Sequence, residues 1–136
     1  MKVLIIGAGE VGYHVIGALY RENVEIVAID SDPAVLEHLK TEFNITTLPG
    51  NATDSTLLAK AGVATADLFL AITNYDETNI ISCLLAREYG AAHTIALVKQ
   101  PEYIPIVEGR RVADVAFSPR LLTARKLLRF VRGEAL

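Results

Sequence analysis

One cysteine, one methionine and no tryptophan occur in the 136 residues of this chain. A lone thiol, Cys83, excludes an intrachain disulfide framework and a zinc site built on cysteines. Basic residues do not predominate: 13 Lys and Arg stand against 16 Asp and Glu, a formal net charge of −3 that gives no global attraction to nucleic acid. Long apolar runs are missing too. The run at 3–6 is stopped by Gly7, far short of the roughly 20 residues a membrane span needs. The residues after it keep a half-polar helical pattern instead of a secretory cleavage site. No membrane insertion or export segment is therefore expected, and the expected location is cytoplasmic. Glycine and proline, at 9 and 5 residues, are too few for a collagenous or low-complexity chain.

What is present is a chain with 51% apolar residues, enough for one cored domain. Strand-like and helix-like stretches alternate along it. Strands are predicted over 3–6, 24–29, 45–48, 68–73, 94–98 and 112–117. Helices are predicted over 10–21, 32–43, 54–61, 77–89, 101–108 and 119–132. Asp32-Pro33 has the cap-then-proline order of a helix start, and Gly62, Gly90 and Gly133 stand at helix ends. Near-continuously apolar strands require cover on both faces, hence a parallel sheet between helical layers. Six such units with right-handed crossovers make a Rossmann-like, doubly wound α/β sheet of six parallel strands in the order 3-2-1-4-5-6. The division expected is a binding lobe at 1–117 and a C-terminal crossover helix at 118–136. The two differ in charge: 15 acidic against 8 basic residues in the first, one against five in the second.

Gly7-Ala8-Gly9-Glu10-Val11-Gly12 is a GxGxxG turn between the first strand and the first helix. Gly7 permits the tight turn, Gly9 lets the backbone approach a pyrophosphate, and Gly12 lets the helix lie close to the strand. The unpaired amides and dipole of the helix N-terminus favour the anion. Asp30, at the end of the second strand, is placed to accept hydrogen bonds from ribose hydroxyls and to repel a 2′-phosphate, favouring NAD(H) over NADP(H). Asp32 has two readings, a ribose contact and a helix N-cap. Asn51-Ala52-Thr53 follows the third strand, either along an adenine edge or as a helix cap. Thr73-Asn74 closes the fourth strand at the switch point. Lys99 closes the fifth, facing either a phosphate or carboxamide, or solvent.

The residues that would drive catalysis are not found. None of the five tyrosines has a lysine four residues on, the spacing a short-chain dehydrogenase uses to move a proton. His14, His38 and His93 lie apart, outside any metal-ligand or triad spacing. Cys83 is expected as a buried thiol on a helical face shared with Ile80, Leu84 and Ala86.

Gly7–Gly12, Asp30 after Val-Ala-Ile, Gly50-Asn-Ala-Thr53, Ala71-Ile-Thr-Asn-Tyr-Asp-Glu-Thr-Asn79 and Phe117-Ser-Pro119 together resemble the nucleotide-binding RCK domain, the KTN domain of TrkA-type potassium-uptake regulators. The resemblance covers nearly the whole chain, and the stretch after the fourth strand is more specific than the glycine motif. It implies a non-catalytic cytoplasmic gating subunit, peripheral to the inner face of the cell membrane. Such a subunit binds NAD(H) or ATP/ADP, controls a membrane potassium transporter or channel, and assembles as dimers or rings. The family's nucleotide contacts then fall on Gly7 to Val11, Asp30, Thr73-Asn74 and Lys99. Two departures stand out. Glu10 occupies a position where some ATP-responsive members carry Arg, which favours NAD(H). Asn51 replaces the usual Asp. Many members also continue into a smaller C-terminal ligand-sensing domain.

Leu121, Ala124, Leu128 and Val131 make an apolar stripe in the last helix, with Arg125, Lys126, Arg129 and Arg132 mostly on other faces. That pattern fits a membrane-surface helix, packing on the chain's own sheet, or contact with a neighbouring subunit; the resemblance favours the last. The rival functions are the cofactor-binding fragment of an NAD-dependent oxidoreductase and a methyltransferase-like domain holding S-adenosylmethionine.

Overall fold

The structure is a computed structural model and describes residues 1–134. Strands β1 (Lys2–Ile6), β2 (Glu25–Asp30), β3 (Thr46–Pro49), β4 (Leu68–Ala71), β5 (His93–Leu97) and β6 (Val115–Phe117) form a single all-parallel sheet. Its order is β3-β2-β1-β4-β5-β6, as the alternating pattern predicts. The strands alternate with helices α1 (Glu10–Tyr20), α2 (Pro33–Glu42), α3 (Ser55–Lys60), α4 (Asp76–Glu88), α5 (Tyr103–Gly109) and α6 (Pro119–Val131). A 3₁₀ turn at Val63–Thr65 leads into β4.

Two apolar layers sandwich the sheet, and successive residues of each strand feed opposite layers. In β1, Val3 and Ile5 join Ile16, Leu36 and Leu39 of α1 and α2, while Leu4 and Ile6 join Leu58, Cys83, Ala86 and Val107 of α3, α4 and α5. All four β1 side chains are buried, and burying each contributes about 1.5–3 kcal/mol. The central strand is thus held from both sides, which fixes the turn that follows it.

Two expectations are corrected. The sixth strand begins at Val115, three residues after the predicted start. Arg111 turns through a left-handed φ of 56°, and Asp114 then clamps the chain to β5: its carboxylate accepts from the Thr94 amide at 2.8 Å while its own amide donates to the Thr94 carbonyl at 3.1 Å. Leu84 does not share the buried face of Cys83; it points outward, half exposed. Of the readings open for the last helix, packing on its own sheet is the one without support: α6 buries no residue and exposes Leu122, Leu127, Leu128, Phe130 and Val131. Two residues of the 118–136 segment lie outside the described residues.

Candidate functional site

Above the C-terminal ends of β1, β2 and β4 lies a cleft of about 660 Å³, the position where ligands bind in open parallel sheets. Its floor is the glycine turn. Gly7 has φ +98° and donates to the Ile29 carbonyl at 2.9 Å, tying the turn to β2. A Cβ on Gly7 would sit 2.9 Å from the Thr73 amide, and one on Gly12 would sit 2.0 Å from the Gly7 carbonyl oxygen. At Gly9 nothing lies within 4 Å of where a Cβ would be, and the space is the cleft itself. No side chain caps α1 at Gly9, so its first-turn amides stay open to an anion.

Asp30 does more than face the cleft. One carboxylate oxygen accepts from the Ala8 amide and the other from the Asp32 amide, both at 2.8 Å. Asp30 therefore holds the glycine turn in place. A carboxylate has about four acceptor positions, so each oxygen retains one facing the cleft. Asp32 caps α2, accepting from Ala34 at 2.9 Å, and it also lines the cleft. Asn51 lines the cleft while its side chain closes a local turn onto the Thr53 amide and hydroxyl, at 2.9 and 2.8 Å. It does not cap α3; Asp54 does, accepting from Thr56 at 3.0 Å.

Across the cleft, Thr73 and Asn74 border it with Ile72, Tyr75 and Thr78. The fully buried Asn79 joins β4 to β5. Its Oδ1 accepts from the Thr73 amide and hydroxyl at 2.9 and 2.6 Å, and its Nδ2 donates to the Thr73 and Leu97 carbonyls at 3.0 and 2.8 Å. Asp76, mostly buried, accepts from the Lys99 and Gln100 amides at 2.8 and 3.1 Å. The sequence-specific stretch after β4 is thus a clasp that sets the shape of the switch point.

Of the fourteen residues predicted for the site, eleven line this cleft. Ala8 is buried beneath it and acts through its amide, Thr53 is engaged with Asn51, and the exposed Lys99 does not line it. Ser31, Val35, Gly50, Tyr75 and Thr78 line it without having been predicted. Pro49-Gly50 and the Tyr75 neighbourhood were visible as a strand end and as part of the distinctive stretch, but neither pattern shows which side chains turn inward. The cleft is acidic: Glu10, Asp30 and Asp32 line it, with no Lys or Arg among the described lining residues.

Elsewhere the reactive groups are isolated. Burial, with the Asp114 charge adding to it, pushes the Cys83 thiol up to about 12, so it stays protonated and donates weakly to the Ile95 carbonyl. His38 lies near Glu42 and His93 near Asp114, and among the described residues no cluster could hold a metal ion. No helix of the described residues is long and apolar enough to cross a membrane.

Residues 3–119 match the family model of the TrkA-N domain. The chain belongs to the TrkA-N domain family. It is 38% identical over 134 residues to a Trk system potassium uptake protein TrkA homolog from Archaeoglobus fulgidus, covering 96% of this chain and 30% of that protein. This TrkA-N domain thus spans about a third of the length of that relative. The TrkA-N domain of the inner membrane protein ybaL from Escherichia coli superposes with a TM-score of 0.85 at 19% identity, covering 95% of each chain, and supports the fold. The GsuK channel bound to NAD superposes with a TM-score of 0.75 at 26% identity, over 87% of this chain and 21% of that one, and GsuK has also been solved bound to ADP.

Proposed function

We infer that this TrkA-N domain is a non-catalytic regulatory module of a potassium transport system, which binds NAD(H) in preference to ATP or ADP. The observation that carries the reading is the joining, in one cleft, of an uncapped helix N-terminus and a carboxylate on the neighbouring strand. The first suits a pyrophosphate and the second a ribose. Gly7, Gly9 to Gly12, Asp30, Asp32, Asn51, Ala52, Thr73 and Asn74 form the ligand contacts, with Ala8 and Thr53 behind them. An acidic lining without a cation disfavours a triphosphate, whose charge would meet Glu10. Binding regulates only if it differs in strength between two arrangements of the protein, and that difference is what passes to a membrane transporter or channel subunit. The location that follows is cytoplasmic, at the inner face of the membrane through that partner.

Calorimetry with NADH, ATP, ADP and S-adenosylmethionine in competition tests the reading; NADH is expected to bind tightest. Preference for S-adenosylmethionine, or hydride transfer from bound NADH to a small acceptor, would overturn it. Asp30→Ala is expected to weaken NADH by about 1–3 kcal/mol. Its melting temperature is expected to fall as well, because the Ala8 and Asp32 amides lose their acceptor.

Assembly is proposed to run through α6. An apolar groove of about 430 Å³, bordered by Ile104, Pro105, Phe117, Leu121 and Leu122, lies at its base, and the helix beyond exposes Leu127, Leu128, Phe130 and Val131. An exposed apolar helix of this kind gains most by packing on a second copy. Leu128→Asp is expected to reduce the sedimentation mass from dimer or ring to monomer; an unchanged mass would reject the contact.

A further inference from the structure

The β4 side of the cleft differs chemically from the β2 side. Four of its backbone polar groups are already committed: the Thr73 amide and carbonyl are taken by Asn79, the Tyr75 amide by the Thr73 hydroxyl, and the Tyr75 carbonyl by that hydroxyl and the Asn79 amide. What this rim adds is a ring. Tyr75 is 63% exposed, lines the cleft, and makes no aromatic pair or side-chain hydrogen bond among the described residues. Its backbone is pinned on both sides, so the ring is offered from a fixed base. Asn74 and Thr78 flank it with side chains that also form no hydrogen bond among the described residues.

Resting on the nucleotide reading above, we propose that Tyr75 is the specificity-determining residue for the half of the ligand beyond the adenosine diphosphate. It stacks on a flat, positively charged heteroaromatic ring, so that the cleft takes oxidised NAD⁺ ahead of both NADH and ADP. Two independent features point to this. A tyrosine face attracts a cationic ring more than a neutral one. The lining adds the charges of Glu10, Asp30 and Asp32 with no lysine or arginine beside them, so a ligand with one negative charge fewer is held better. The pyridinium ring of NAD⁺ supplies that difference; the dihydronicotinamide of NADH lacks it. The amide of Asn74 can both donate to and accept from the carboxamide on that ring.

Calorimetric titrations of NAD⁺, NADH and ADP into the wild type, Tyr75→Phe and Tyr75→Ala test the proposal, with thermal melts to show that the exposed substitution leaves the fold intact. The wild type is expected to bind NAD⁺ roughly threefold or more tighter than NADH. Tyr75→Ala is expected to lose roughly tenfold in NAD⁺ affinity, to leave ADP within about twofold, and to shrink the preference for NAD⁺ over NADH to the part that the acidic lining supplies, while Tyr75→Phe follows the wild type. NAD⁺ affinity unchanged in Tyr75→Ala would overturn the proposal. So would an equal loss for ADP, or NADH binding tighter than NAD⁺ in the wild type. A wild type that binds none of the three refutes the nucleotide reading itself.

Discussion

Gly12→Ala is expected to lower stability by about 2–3 kcal/mol and to reduce dinucleotide affinity by roughly tenfold or more. The added methyl carbon would lie 2.0 Å from the Gly7 carbonyl oxygen and 2.9 Å from its carbonyl carbon. Both are backbone atoms, so no side-chain rotation relieves the overlap. Either α1 moves away from β1, uncovering Ile16 from its layer, or the turn carrying Gly7 moves. Moving the turn breaks the bonds from Gly7 to Ile29 and from Ala8 to Asp30. Gly9→Ala is the matching control. Its methyl meets nothing within 4 Å, and its φ of −70° is one that alanine adopts. That variant is expected to melt within about 1 kcal/mol of the wild type yet bind dinucleotide weakly, because the methyl occupies the space above the open amides. Chemical denaturation and calorimetry on the pair separate the two functions of the motif. Equal stability for Gly12→Ala and the wild type would show that the helix does not depend on this close approach.

These two glycines also mark how far the chain could be understood before its fold was known. Strand order and the placement of the cleft follow from local patterns: runs of β-branched residues, helical spacing, and capping pairs such as Asp32-Pro33. Each is a near-neighbour property, and each reappears in the structure. What local patterns do not carry is pairing across the fold. The clamp of Asp114 on Thr94, which shortens β6, joins residues 20 apart. The second task of Asp30, holding Ala8, spans 22 residues. The position of Lys99 at the end of β5 suits either an anion or solvent, and only the fold shows that its amide is drawn to Asp76 while its exposed side chain does not line the cleft. Leu84 follows helical spacing, but which arc of α4 faces the sheet is set by Asn79, Ser82, Cys83 and Ala86, and that arc leaves Leu84 outside.

Asn79→Leu is expected to destabilise the fold by about 3–5 kcal/mol, more than any exposed substitution, and to weaken ligands that reach the β4 rim. Asn79 uses its full hydrogen-bonding capacity, two bonds accepted at Oδ1 and two donated from Nδ2, in a position with no solvent exposure. Leucine has the same branching of side-chain heavy atoms but leaves the Thr73 amide, the Thr73 carbonyl and the Leu97 carbonyl without their partner. Each unpaired buried group costs about 1–3 kcal/mol, so partial relaxation of two or three accounts for the total. Relief is available only by shifting the segment from Thr73 to Tyr75, which carries the rim of the cleft with it. Binding of NAD⁺ should therefore fall further than binding of ADP, whose contacts lie toward β2 and the glycine turn. Ser82→Ala is the comparison: Ser82 is equally buried on α4 but makes one hydrogen bond, to the Asn79 carbonyl within the helix, and is expected to lose no more than about 1 kcal/mol. Denaturant melts and titrations on both variants decide the matter. Matching losses for the two would mean that α4 is held by its apolar packing and that the Asn79 clasp adds nothing of its own.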